Sequence, residues 1–217
     1  MCVRVLVFNT AVLILMSQYA KSLLENNSFG LRQINLSTDL KIVHKIFSDG
    51  MRLYSDPLPV TSPLRVMWEQ YIPNSIANDL SNIKEVYLNS GGNFWVVYDK
   101  KENDCIVGCV GCEPLSKITC ELRRMSVSQK ARRGGLGSLL VRVVEEFAAE
   151  NGFKQLILST GSNMTPARGL YERNGFEMYK YESSESKDMK EAGETFGIVH
   201  FRKPITRSSG RWMWSKL

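Results

Sequence analysis

Apolar and polar positions switch between two periods along this chain. Leu31 to Asn35 reads as a short strand. Ser37-Thr38-Asp39 offers a helix cap, and Leu40, Val43, Phe47 and Met51 follow at helical spacing, with Gly50 near the stop. Ser62-Pro63 opens a second helical piece, which Pro73 should interrupt; Leu80, Ile83 and Val86 then form a further stripe ending near Asn89 to Gly92. Phe94–Tyr98 and Cys105–Cys112 are β-rich runs joined by the polar turn Asp99 to Asp104, a hairpin signal, and Ile118–Val127 is a third long β run.

The clearest helix follows. Leu136, Leu139, Leu140, Val143, Val144, Phe147 and Ala148 make an i, i+3, i+4 stripe that Asn151-Gly152 closes. Leu156–Ser159 is a buried-type strand, and Thr165-Pro166 starts a short helix ended by Asn174-Gly175. Phe176–Tyr181 and Ile198–Phe201 close the pattern around a charged, Ser-rich insert. The order βαα-ββ-βαβα-ββ predicts an α/β fold with a mixed sheet, and neither a repeat nor a linker divides it.

Composition narrows the class. With 217 residues, 43% hydrophobic and 23% charged, the chain fits one domain and is neither fibrous, wholly disordered nor a polytopic membrane protein. Five cysteines, with Cys109 and Cys112 as a lone C-x-x-C and only two histidines, argue against a disulfide scaffold or a zinc site and for buried thiols in a reducing compartment. The net charge of +6 is mostly a tail property. Arg202, Lys203, Arg207, Arg211 and Lys216 fall in the last sixteen residues, which leaves 23 basic residues against 22 acidic ones elsewhere. Residues 1–29 form an apolar extension whose Val5–Met16 run is too short to span a bilayer. It fits either a signal or anchor core, with Ala20-Lys21-Ser22 as a cleavage pattern, or an extra element packed on the domain.

The stretch Arg132-Arg133-Gly134-Gly135-Leu136-Gly137-Ser138 carries the main chemical signal. Its glycines let the backbone approach a ligand closely, and the helix behind offers unpaired N–H groups and a positive dipole end, as a diphosphate requires. Lys130, Arg132 and Arg133 add positive charge at the rim. Neither a P-loop nor a dinucleotide fingerprint can be read here.

R-x-x-G-x-G (Arg132, Gly135, Gly137), placed after a β run and opening an amphipathic helix, resembles the acetyl-CoA pyrophosphate loop of the GNAT N-acetyltransferase superfamily. Ala167-Arg168-Gly169-Leu170-Tyr171-Glu172-Arg173-Asn174-Gly175-Phe176 resembles that superfamily's A-x-x-L-Y-x-x-x-G-F block, at the usual separation. Asp79-Leu80, Tyr87-Leu88, Phe94-Trp95-Val96-Val97, Glu121–Val127 and His200-Phe201 extend the likeness to the camello-like branch, over about Leu31 to Lys203. The hydrophobic membrane segment usual in that branch is replaced here by the short, polar, proline-containing Asp56–Asn78.

The resemblance implies a GNAT domain over residues 30–203, followed by a basic tail, residues 204–217. Its sheet would have about six to seven strands with splayed middle strands, flanked by about four helices. The implied reaction is acetyl transfer from acetyl-CoA to a primary amine by direct attack. Backbone groups of Met125, Ser126 and Val127 would hold the pantetheine arm, and amides from Arg133 through Gly134, Gly135, Leu136 and Gly137 to Ser138 the pyrophosphate. Tyr171 is the implied acid for the departing thiolate. Glu121 is the first candidate base and Glu113 the second. Asn163 matches the superfamily's cofactor-contacting asparagine except for one residue of spacing.

Five acids in the insert (Glu182, Glu185, Asp188, Glu191, Glu194) against Lys187 and Lys190 suggest a rim that attracts a cationic amine. The camello-like likeness suggests cysteine conjugates or protein lysines. Two other classes remain at this point: a non-catalytic acetyl-CoA-binding module, and a nucleic-acid or membrane-surface protein acting through the tail with Trp212 and Trp214. No metal motif is read. The expected address is cytoplasmic, with membrane association only through residues 1–29; no nucleic acid is expected, and a homodimer is compatible with the reading.

Overall fold

The computed structural model describes residues 28–206; the apolar run Val5–Met16 and the tail residues Arg207–Leu217 lie outside the described residues. Seven strands form one mixed sheet in the order β1-β2-β3-β4-β5-β7-β6. They are β1 (Phe29–Gln33), β2 (Asn93–Asp99), β3 (Cys105–Pro114), β4 (Thr119–Val127), β5 (Gln155–Gly161), β6 (Glu177–Ser183) and β7 (Gly197–Pro204). The helices are α1 (Leu40–Ser55), α2 (Pro63–Ser75), α3 (Leu136–Glu150), α4 (Thr165–Arg173) and the short α5 (Lys187–Glu191) inside the charged insert. Five α-helices thus stand among the described residues, where about four were expected. The strands reach one residue beyond each end of the expected domain.

Each face of the sheet has its own core. Leu136, Leu139, Leu140, Val143 and Val144 of α3 lie against Cys112, Cys120, Leu122, Leu156 and Leu158. Val43, Phe47 and Met51 of α1 meet Trp68 of α2, Phe94, Val96 and Cys109 on the other face. Leu140 and Leu156 are fully buried, each such side chain contributing about 1.5–3 kcal/mol of transfer free energy. Three of the cysteines are core residues; burial pushes the Cys109 thiol up to about 12, which keeps it protonated and inert.

The structure corrects several expectations about the first helical layer. Strand β1 begins and ends two residues earlier than the apolar run suggests. Helix α1 does not stop at Gly50. That residue is buried in mid-helix, and a β-carbon there would lie 3.5 Å from the Ser126 hydroxyl, an ordinary contact distance. Asp39 occupies the N-cap position without capping. Its carboxylate turns back to accept two bonds from Arg32 at 2.5 and 3.1 Å and one from the Asn35 amide at 2.7 Å.

Pro73 does not end α2 either. The helix runs on to Ser75, and a π-helical segment follows over Ile76–Leu80, where Ser81 N–H reaches the Ile76 carbonyl at 2.9 Å. A second π segment spans Lys84–Leu88 and delivers the chain to β2. Among the described residues no helix is long and apolar enough to cross a membrane.

Candidate active site

Two backbone irregularities open the sheet at its centre. The first is the parallel pairing of β4 with β5, which covers only Thr119–Gln155, Cys120–Leu156 and Glu121–Ile157. Beyond Glu121 the strands part, so the main-chain groups of Leu122 to Val127 that would face β5 line a gap. The second is a bulge on β4. Gly111 pairs with Arg123 but Cys109 pairs with Ser126, so two residues of β4, Arg124 and Met125, are set against one of β3, Val110. Arg124 carries the bulge with φ of 54°, a left-handed conformation uncommon for a residue with a side chain.

Two ion-pair contacts hold that conformation. The Arg124 guanidinium meets the buried Asp79 carboxylate at 2.5 and 2.8 Å, and donates to Tyr71 Oη at 2.9 Å and Ser75 Oγ at 3.0 Å. Tyr87 donates a further short hydrogen bond to Asp79. Burial works to raise the Asp79 carboxyl. The Arg124 and Tyr87 hydrogen bonds outweigh it and hold the group below the ordinary carboxylate range. In the sequence Asp79 and Tyr87 stand out only through the family resemblance, and no local signal points to this role.

Past β4, the chain forms a single 3₁₀ turn, Gln129–Ala131, and then swings through Arg133 (φ 64°) and Gly135 (φ 81°) into α3. Both positions are left-handed, and Gly135 holds the N-cap, which is why glycine is placed there. The first α3 hydrogen bond runs from Leu139 N–H to the Gly135 carbonyl at 3.1 Å, so the amides of Leu136, Gly137 and Ser138 have no carbonyl behind them in the helix. A β-carbon at Gly137 would stand 2.9 Å from Leu170 Cδ2, so the Leu170 side chain of α4 packs directly over the glycine. Ser138 Oγ accepts from Asn174 Nδ2 at 3.1 Å, which ties the start of α3 to the end of α4. Arg132 and Arg133 are exposed; Arg132 Nε donates to the Val127 carbonyl at 3.0 Å.

A cleft of about 390 Å³ runs from the gap towards α1 and α2. Glu121, Met125 and Tyr171 all line it, with Phe47, Trp68 and Met164 among its apolar walls. Tyr171, on α4, is buried with its ring edge against Phe176 at 5.9 Å. Its hydroxyl has no hydrogen-bond partner among the described residues, and burial, with nearby Tyr54, pushes it above the ordinary phenol range. It is therefore a protonated donor at neutral pH.

Burial also raises the Glu121 carboxyl, and the charge of Glu113 adds to this while Arg123, 3.8 Å away, opposes it. Glu113 is bound to Arg123 in a short ion pair and is not among the residues lining the cleft. The two expected bases are thus separated by geometry: Glu121 faces the cavity and Glu113 faces a cation. Ser126 Oγ and Asn163 Oδ1 are buried without a partner among the described residues. Asn163 lies two residues past the end of β5, its oxygen 3.0 Å from where a β-carbon on Gly161 would stand.

The acidic insert is less free than its sequence suggests. Glu194 accepts from the Leu64 amide at the start of α2 at 2.8 Å, Glu191 lies 3.6 Å from Lys187, and Glu182 pairs with Lys180 and His200. Three of its five acids therefore have partners within the fold.

The fold and motifs have close counterparts. Human N-acetyltransferase 8 is 33% identical over 115 residues, 50% of this chain and 49% of that protein. The mouse protein named probable N-acetyltransferase family 8 member 5 is 34% identical over 140 residues, 62% of this chain and 59% of its own length. The chain spans about half the length of the curated relatives it matches. Among solved structures, a Staphylococcus aureus GNAT-family acetyltransferase superposes with a TM-score of 0.62 at 19% identity, covering 82% of this chain and all (100%) of that one. A phosphinothricin acetyltransferase from Sinorhizobium meliloti, solved with acetyl-CoA, gives 0.62 at 16% identity, covering 88% of this chain and 95% of its own. The acetyltransferase (GNAT) family profile matches residues 51–176, more than half of the sequence and the whole of the bulge, glycine turn and α4 block, and the chain belongs to that family.

Proposed function

We propose that this chain is an acetyl-CoA-dependent N-acetyltransferase acting on a primary amine. The observation that carries the reading is one juxtaposition. The parted ends of β4 and β5, the uncapped amides of α3 and a cleft lined by Glu121 and Tyr171 lie side by side. A thin acyl-pantetheine arm with a diphosphate at one end requires those features in that order.

In this reading the Leu136, Gly137 and Ser138 amides, with Arg133 and the Gly134-Gly135 turn, take the diphosphate. Arg132 moves from the Val127 carbonyl to the phosphates. Free main-chain groups of Met125, Ser126 and Val127 hold the amide-rich arm, and the unpartnered Asn163 oxygen accepts from the cofactor. The relatives' names, N-acetyltransferase 8 and its family members, and the acetyl-CoA bound in the Sinorhizobium enzyme agree with this choice.

The residues then divide the chemistry by protonation state. A carboxylate whose basicity is raised by burial removes a proton from the attacking nitrogen, which assigns Glu121 as base. Collapse of the tetrahedral species expels a thiolate, and Tyr171, buried and protonated, supplies its proton. The acceptor is a small-molecule amine, a cysteine conjugate or a protein lysine. Incubating a panel of these with acetyl-CoA and following free thiol tests the reading. Release of coenzyme A with at least one amine is expected, and uniform inactivity of folded protein that binds coenzyme A would refute transfer in favour of a binding module.

A further inference from the structure

The sheet face that carries Glu121 also carries a hydrogen-bonded chain of three side chains, one from each of three adjacent strands. Leu156 and Leu158 of β5, and Val199 and Phe201 of β7, point into the core on the α3 side. The alternation of strand side chains therefore places Ser159 and His200 on the opposite face, together with Glu121. Ser159 and His200 are register partners, and Ser159 lines the cleft. Ser159 Oγ lies 2.9 Å from His200 Nδ1, and His200 Nε2 lies 3.0 Å from Glu182 Oε2 on β6. His200 is 19% exposed and Glu182 46% exposed, so the chain runs from the cleft to solvent.

The partners decide the tautomer. Glu182 accepts a hydrogen bond from Lys180 as well as one from His200, and these hold its carboxyl below the ordinary range. An ionised carboxylate can only accept, so the Nε2 of a neutral imidazole must carry the proton. That leaves the Nδ1 lone pair as acceptor for the Ser159 hydroxyl. The orientation is that of a serine–histidine–carboxylate array, aimed at the cavity.

From this geometry, and resting on the acetyl-transfer reading above, we infer that Ser159, His200 and Glu182 form a proton relay that deprotonates the incoming ammonium before attack. An aliphatic amine arrives as R–NH₃⁺, whereas the amide product and thiol require two of its protons to leave. The first passes to Ser159 Oγ as the Ser159 hydroxyl proton passes to His200 Nδ1, giving an imidazolium bound to Glu182 and then losing its proton to solvent. The second goes to Glu121 during attack, while Tyr171 protonates the thiolate; Glu121 returns its proton to the tyrosinate through water. One proton is released per turnover, as the equation demands. Ser159 touches the acceptor; His200 and Glu182 act through it. The other groups facing the imidazole are Tyr179, whose ring centroid is 6.1 Å away, Lys180 on β6, and Glu121 on β4, whose titration responds to its charge.

Two measurements test the relay. Nitrogen-15 NMR of the full chain, with only His44 and His200 to assign, should show neutral His200 protonated at Nε2, with a larger Nδ1–H population in Glu182→Gln. For kcat/KM with an aliphatic amine, His200→Gln and Ser159→Ala should each lower the neutral-pH value by about 10²-fold. Both variants should lose one acidic ionisation present in the wild type, while coenzyme A affinity stays unchanged. An Nδ1–H tautomer in the wild type, or an unaltered acidic limb in His200→Gln, overturns the relay alone. A wild type that acetylates no amine overturns the transfer reading, and the relay's role with it.

Discussion

Asp79 and Arg124 meet through two hydrogen bonds of 2.5 and 2.8 Å between a π-helical segment and the bulge residue of β4. The pair ties the first helical layer to the backbone defect that opens the sheet. Arg124 holds a left-handed conformation with an extra residue in its strand, which costs roughly 1–3 kcal/mol unless its surroundings fix it. The buried carboxylate does so, by leaving the guanidinium one place to go. The pair thus connects the stability of the domain with the shape of its cleft.

Asp79→Asn should destabilise the protein by about 3–5 kcal/mol at pH 7, because it leaves the Arg124 charge buried without its counter-ion. The carboxyl is held below its unfolded value, so its contribution is complete above about pH 4 and lost as pH falls through the folded value. Urea unfolding at pH 7 and at about pH 3 should show the wild-type advantage shrinking in acid. An equal difference at both would refute the linkage.

Removing only the hydroxyl of Tyr171 isolates its role as acid. Tyr171→Phe keeps the ring packing against Phe176 and Phe201 and should lower turnover by about 10²–10⁴-fold, with acetyl-CoA affinity nearly intact. Turnover at the wild-type rate would remove Tyr171 from the chemistry.

The two carboxylates on β3 and β4 should behave differently. Glu121→Gln is expected to cost about 10²–10⁴-fold in kcat/KM, since Glu121 faces the cleft with raised basicity. Glu113→Gln removes the short ion pair to Arg123, which keeps Asp79 and Glu121 at 3.8 Å, and should act mainly on stability, within about 1–3 kcal/mol. Parallel pH–rate profiles separate them, and matching losses would mean that neither is the base.

Much of this arrangement is legible in the sequence, for local reasons. The apolar stripe from Leu136 to Ala148 and the glycines at 135 and 137 fix α3 and its exposed amides without help from distant residues. Asp39 misleads because a tertiary partner, Arg32, captures its carboxylate, and Gly50 because the helix runs on past it and buries Met51 and Ser55; past Pro73 the helical backbone continues to Ser75 and then widens into a π segment. Arg124–Asp79 and Ser159–His200–Glu182 join residues far apart in the chain: the packing of a helical segment on β4 brings the first pair together, and strand register the second group. The gap between β4 and β5 likewise leaves no residue signature beyond the family likeness, since it arises from where pairing stops.

The glycine turn makes its own prediction. Gly137→Val would drive a side chain into Leu170, 2.9 Å from the first added carbon, so the Leu170 side chain must shift at the start of α3. Gly135→Val forces a β-branched residue to φ of 81°, at about 1–2 kcal/mol or more. Both should weaken coenzyme A binding by at least about tenfold while leaving a folded protein by circular dichroism. Wild-type affinity in both variants would show that the turn does not hold the ligand.

Titration calorimetry of the full-length protein with coenzyme A and with pantetheine bears most directly on the grip of the α3 amides. Saturable heat is predicted with coenzyme A, and affinity about 100-fold weaker or worse for pantetheine, which lacks the diphosphate. No heat from coenzyme A with folded protein, or equal affinity for both molecules, would contradict it.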